Sequence, residues 1–182
     1  MDTGKVILLI DGYNVIAPVA PPGRGGDSRW LERERRLLLD RLGKYLPEPV
    51  RKLTCVVFDA ATTPVGVADE YVDFGLLVRF AVGYSEADDL IEELIMASAS
   101  PKRLAVVSSD HRIQTAARKR SATVYESEDW LENLIQGRVR LAPRVLDSIE
   151  QRRAGECPEG KLEGSRKLSQ AEVELWLNEF EL

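Results

Sequence analysis

Five short apolar runs punctuate the chain, and between them apolar residues recur at helical spacing. Val6-Ile7-Leu8-Leu9-Ile10 is the first run, and residues 53–58, 76–82, 103–107 and 123–125 are the others. Continuous β-branched and aliphatic stretches of this length read as strands buried on both faces. Between them the pattern predicts helices over 28–46, 86–98, 110–119 and 129–136. In the first helix Leu31, Leu38, Leu42 and Tyr45 fall on one face, and Pro47 and Pro49 close it. Leu90, Ile91, Leu94 and Ile95 give the second helix its apolar stripe. Residues 19–27, with Pro21-Pro22-Gly23 and Gly25-Gly26, read as a loop. Strands alternating with helices call for an α/β domain over residues 5–150, a parallel sheet with helices on both faces.

Beyond this domain the pattern weakens. Residues 151–168 read as a linker, with Gly, Pro and Glu concentrated in 155–164. Ser169-Gln170-Ala171-Glu172 has the form of a capping box. Val173, Trp176, Leu177 and Phe180 then recur at i, i+3, i+4 and i+7, so 169–182 is expected to be an amphipathic C-terminal helix. Such a helix can fold back on its own domain or dock on a partner protein or a second subunit.

The polar residues that end the strands carry the chemistry. In open α/β sheets ligands bind outside the carboxyl ends of the strands. Asp11, Asp59 and Asp110 each follow a strand, and the helix that opens with Ala87-Asp88-Asp89 adds acids from its first turn. Asn14 supplies a further oxygen three residues after Asp11. If the first and fourth strands are neighbours, Asp11, Asp88 and Asp110 converge. Carboxylates so crowded cannot all stay ionised unless protons or cations neutralise them. Oxygen donors without clustered His or Cys suit Mg²⁺ or Mn²⁺ rather than zinc, and two such ions about 3.5–4 Å apart form a clamp for displacement at phosphate. The competing reading is structural: Asp88, Asp89 or Asp110 can simply cap the helix it begins.

Composition narrows the field. The 182 residues are 44% hydrophobic and carry a net charge of −5. No apolar run reaches the roughly 20 residues that span a bilayer, and residues 1–10 lack the layout of a signal peptide, so a cytoplasmic location is expected. Cys55 reads as a buried thiol and Cys157 as a free one, as in a reducing compartment. The acidic balance excludes gripping nucleic acid through bulk charge. Local arginines matter more, since arginine suits bidentate phosphate contacts. Arg29, Arg33 and Arg36 form a stripe that either holds an RNA backbone or is a solvated face paired with Glu32 and Glu34. Arg112 is a further candidate contact, and Tyr13 or Trp30 could stack an unpaired base. The single histidine, His111, reads as a surface residue, and a Ser108 or Ser109 triad has no second base to draw on. Tyr13 stands where a phosphoaspartate phosphatase would place its second Asp, and Gly23-Arg24-Gly25-Gly26 lacks the Lys-Ser/Thr of a phosphate loop.

Four blocks together resemble a known family. Leu9-Ile10-Asp11-Gly12-Tyr13-Asn14-Val15-Ile16, Val56-Val57-Phe58-Asp59-Ala60, Ala87-Asp88-Asp89-Leu90-Ile91-Glu92 and Val106-Val107-Ser108-Ser109-Asp110 are similar, in order and spacing, to the YacP-like branch of the NYN domains, relatives of the PIN-domain ribonucleases. The resemblance implies a three-layer α/β/α PIN-like fold with a mainly parallel sheet, and a Mg²⁺-dependent RNA endonuclease that leaves 5′-phosphate and 3′-hydroxyl ends. Some members act on ribosome-associated mRNA. It further implies that Asp11, Asp88 and Asp110 bind metal, with Asn14 their partner in the catalytic cleft and Asp59 and Asp89 as secondary ligands. Where the family's Glu-Thr-Ala-Asp block is expected, this chain has Ser85-Glu86-Ala87-Asp88, which makes Glu86 the substitute acid. The rival readings are a non-catalytic RNA- or ribosome-binding module on the same fold and a regulatory protein acting through its tail.

Overall fold

The computed structural model describes residues 6–16, 28–60, 66 and 68–139. The expected linker and C-terminal helix, with Trp176 and Cys157, lie outside the described residues. So do the glycine-rich loop and the side chain of Arg29.

Six strands form one sheet in the order β3-β4-β2-β1-β5-β6. They are β1 (Leu8–Asp11), β2 (Thr54–Phe58), β3 (Glu70–Asp73), β4 (Leu76–Phe80), β5 (Ala105–Val107) and β6 (Thr123–Tyr125). All neighbours run parallel except β3, which pairs antiparallel with β4. β1 lies at the centre, with Leu9 opposite Cys55 on one side and Val106 on the other. Its residues are buried from end to end, as a strand covered on both faces requires.

The α-helices among the described residues are α1 (Gly12–Ile16), α2 (Ser28–Tyr45), α3 (Glu48–Arg51), α4 (Ala87–Ala97), α5 (His111–Lys119) and α6 (Ser127–Ile135). Leu8, Ile10, Val56, Phe58 and Phe80 share one core with Leu38 and Leu42 of α2 and Trp130 and Leu134 of α6. Leu9, Cys55, Val57 and Val106 share the opposite core with Leu90 and Ile91 of α4 and Ile113 and Ala117 of α5. The side-chain alternation of β1 and β2 therefore separates two helical layers, the three-layer α/β/α arrangement that was expected.

Three elements differ from the sequence-based expectation. The mainly parallel sheet carries an antiparallel edge, because the two-residue turn Phe74-Gly75, at φ 50° and 81°, folds β3 back on β4. Both turn residues have positive φ, as in the tight turns that match strand twist. The hydrophobic pattern missed β3 because its side chains alternate between exposed and half-buried at a sheet edge. Helix α3 starts where Pro47 and Pro49 were read only as a stop; proline is equally at home in a first helical turn. The short α1 continues directly from β1. It needs Gly12, because a Cβ there would run into the ring of Phe58.

Candidate active site

From β1 the chain continues to β2 on one side of the sheet, while β5 lies on the other side. The β1–β5 seam is thus a point where the strand order reverses, the place where α/β proteins hold their ligands. Asp11 is the last residue of β1, and Ser108-Ser109-Asp110 leave the adjacent β5. The first turn of α4 brings Asp88 to the same sheet edge. A cleft of about 330 Å³ opens there, lined by Asp11, Tyr13, Asn14, Asp59, Glu86, Ala87, Asp88 and Asp110.

Asp11 is only 7% exposed. Its Oδ2 accepts a hydrogen bond from the Ser108 hydroxyl at 2.9 Å, and its Oδ1 accepts one from the Asn14 N–H at 3.3 Å. Burial is the main force raising its pKa, to about 6; the charges of Asp88 and Asp110 push the same way, and the two hydrogen bonds oppose them. The Asp88 carboxyl is also raised, by burial first and by Asp110 second, while Arg112 counteracts. The three acids therefore feel one another across the cleft.

Asp110 combines two roles. As the N-cap of α5 its Oδ1 accepts from the N–H groups of Arg112 at 2.7 Å and Ile113 at 3.2 Å. The capping reading thus holds for this residue, and the same side chain also lines the cleft. Asp88 lies in the first turn of α4, whose N-cap position is Glu86, without a side-chain cap bond.

Asn14 serves as a clamp. Its Oδ1 accepts from the Ser109 N–H at 2.7 Å and from the Ser127 hydroxyl at 2.6 Å, and the Ser127 N–H donates to Ser109 Oγ at 2.9 Å. This ties α1, the turn after β5 and the start of α6 together behind the cleft. Buried Gln114 supports the same turn, donating to the Ser108 carbonyl at 2.9 Å and to Glu126 at 2.7 Å. Sequence reasoning missed Ser127 and Gln114. Single polar residues on otherwise ordinary helices carry no periodic signal.

Two expected site residues are placed elsewhere. Asp89 is not among the residues that line the cleft and bonds Arg112 at 2.6 Å, which holds its carboxyl below the usual range. Arg112, expected to meet RNA, bonds Asp89 and Glu92 at 2.6 and 2.9 Å and approaches Glu86 at 3.9 Å. It joins α4 to α5 and pairs with these acids while its side chain stays half exposed. Arg33 and Arg36 are exposed on α2. A larger hollow of about 470 Å³ lies between α1, α2 and α6, lined in part by Val15, Leu38 and Leu131, and gathers none of these acids.

Among the described residues no group of three or more Asp, Glu, His or Cys is arranged as it stands to hold a metal ion. The chemistry of the cleft nevertheless fits a hard cation. Its donors are oxygens, and the carboxyls of Asp11 and Asp88 are raised first by burial and then by the neighbouring acids, both of which a bound cation would offset.

A mostly parallel α/β/α domain with acids gathered at its switch point agrees with the PIN-like nuclease fold that the resemblance implies. The chain belongs to the YacP-like NYN domain family, whose model matches residues 8–176. It is similar in structure to Rae1 (YacP) from Bacillus subtilis, with a TM-score of 0.56 and 25% identity over 96% of this chain and 91% of that one. A tryptophan-to-leucine variant of the same Bacillus subtilis protein matches with a TM-score of 0.51 and 24% identity over 82% of this chain and 95% of that one. No curated protein matches the chain. Family and fold support an RNA-related nuclease role. Among the described residues no helix is long and apolar enough to cross a membrane.

Proposed function

We propose that the protein is a Mg²⁺- or Mn²⁺-dependent endoribonuclease of the cytoplasm, acting on single-stranded or ribosome-presented RNA. One observation carries this reading: Asp11, Asp88 and Asp110 line a single cleft at the β1–β5 seam. Asp11, Asp88 and Asp110 would hold the ions, with Glu86 and Asp59 beside them in the cleft. Bound there, two divalent ions supply Lewis-acid stabilisation of the attacking and leaving oxygens of a phosphodiester.

The chain's own residues do the rest. Ser108 and the Asn14 N–H fix both oxygens of Asp11. The Asn14–Ser109–Ser127 clamp fixes the turn that presents Asp110. Water adds to phosphorus in line with the 3′-oxygen, the P–O3′ bond breaks, and the 3′-oxygen takes up a proton. The products are 5′-phosphate and 3′-hydroxyl ends. A net charge of −5 offers little non-specific attraction for RNA, so slow cutting of naked RNA and delivery by the ribosome go together.

One observation favours the rival, a non-catalytic RNA- or ribosome-binding module: no three acids are pre-arranged around an ion among the described residues. Incubating the purified protein with labelled single-stranded RNA and with ribosome-bound mRNA, with Mg²⁺ and with EDTA, separates the two. Cleavage in Mg²⁺ that is lost in EDTA and in Asp11→Asn supports the enzyme. RNA or ribosome binding without metal-dependent cleavage supports the module.

A further inference from the structure

The two flanks of the acidic cleft carry different side chains. On the α4–α5 flank Glu86, Asp89 and Glu92 surround Arg112. Glu93 adds another carboxylate, which accepts a hydrogen bond from the Tyr84 hydroxyl at 2.7 Å. Beside the α4 acids a phosphate chain would meet these carboxylates around an arginine that is already engaged.

The opposite flank is built differently. Tyr13, in the cleft wall, meets Phe58 edge-on with ring centroids 5.1 Å apart. Phe58 lies 6.0 Å from Phe80, and Tyr71 of the edge strand β3 stacks on Phe80 at 6.2 Å. Arg35 sits over Phe58 and Phe80 at 5.9 and 5.2 Å. The charges of Arg35 and Arg36 both reach the Tyr71 hydroxyl. Phe58 and Phe80 are buried, whereas Tyr13 and Tyr71, at the two ends of the row, are only partly covered. A line of rings thus leads from the acids to the sheet edge, beside an exposed arginine.

We propose that single-stranded RNA leaves the cleft over this flank, with one base against Tyr13, another against Tyr71 and a backbone phosphate at Arg36. The inference deepens the nuclease reading and rests on it. Aromatic faces accept any base once it is unstacked, and arginine beside them holds the backbone. A duplex keeps its bases inside and cannot use such a row, so the flank selects single strands.

The test is the affinity of the Asp11→Asn protein for a short labelled single-stranded RNA, alone and with Tyr71→Ala, Tyr71→Leu, Arg36→Ala or Lys119→Ala added. Lys119 is exposed on α5, on the other flank. Tyr71→Ala is expected to weaken binding about tenfold. Tyr71→Leu keeps an apolar side chain against Phe80 and should lose as much, which separates stacking from misfolding. An RNA lacking the stacked base should lose the same factor, and no more when combined with Tyr71→Ala. Arg36→Ala should lower the slope of log affinity against log salt by about one. Lys119→Ala should bind like its parent. Unchanged affinity in both Tyr71 variants, a loss in Lys119→Ala equal to that in Arg36→Ala, or equally tight binding of duplex RNA would overturn the path. If wild type still cleaves RNA while the flank variants bind like their parent, only the path fails. If wild type cleaves no RNA and the parent binds none, the nuclease reading fails with it.

Discussion

The Ser127 hydroxyl donates to Asn14 Oδ1 at 2.6 Å, across 113 positions of sequence. Through this bond the start of α6 holds the residue that in turn holds the turn before Asp110. Loss of a buried partner costs about 1–3 kcal/mol, because the group left behind stays desolvated. Ser127→Ala should therefore lower unfolding free energy by about 1–2 kcal/mol, and Asn14→Ala by more, since it strips an acceptor from two donors at once. Denaturant unfolding measures both. Stability equal to wild type in Asn14→Ala would mean that the clamp is not formed.

Asp11 makes the ion-free protein sensitive to pH in an unusual direction. Its pKa rises from 3.8 to about 6 on folding, so between those values the folded state binds a proton that the unfolded state has released. The contribution is fully present below about pH 4 and is lost as pH rises through 6. About two pKa units correspond to roughly 3 kcal/mol. In EDTA, Asp11→Asn should therefore be more stable than wild type at pH 7.5 and nearly equal to it at pH 4. Mg²⁺, which needs the ionised form, should raise the wild-type melting temperature at pH 7.5 and much less at pH 5. A melting temperature for Asp11→Asn below that of wild type at pH 7.5 would refute the buried, uncompensated carboxylate.

Arg112 is 47% exposed at its side chain, and its ion pairs with Asp89 and Glu92 are open to water. Exposed pairs are worth about 0–1 kcal/mol and are screened by salt. Arg112→Ala should cost little at low ionic strength and almost nothing in molar salt. Unfolding curves at the two salt concentrations decide; a large, salt-independent loss would show that Arg112 has a packing role.

Gly12 opens α1 directly after β1, with the Phe58 ring against it. Gly12→Ala forces that ring or the α1 backbone to move, an overpacking expected to cost about 1–3 kcal/mol. Phe58→Leu in the same chain should recover part of the loss. Thermal unfolding of the single and double variants checks this, and a neutral Gly12→Ala would contradict the close approach.

The strand ends were legible because a buried strand announces itself. The run Val6 to Ile10 can only be covered on both faces, and whatever polar residue follows it must emerge at the sheet edge. Asp11, Asp88 and Asp110 came together for that reason, with Asp59 and Glu86 beside them. The edge strand β3 was not legible, because Glu70, Tyr71, Val72 and Asp73 carry no continuous apolar run. The ion pairs of Arg112 were not legible, because charge in a sequence does not say which neighbours face it; Glu92 is 20 residues away and 2.9 Å distant. Ser127 and Gln114 matter through geometry alone, which no local pattern encodes.

Whether Asp11, Asp88 and Asp110 act as one site on RNA is decided by kcat/KM for Mg²⁺-dependent cleavage of a single-stranded RNA by the Asp11→Asn, Asp88→Asn and Asp110→Asn proteins and their pairs. Residues that act as a unit are strongly non-additive. Each single variant should lose at least about a hundredfold, comparable to removing one strong electrostatic stabiliser, and each double variant should be little worse than its worse parent. Wild-type rates in the single variants, or losses that multiply in the doubles, would contradict a shared site.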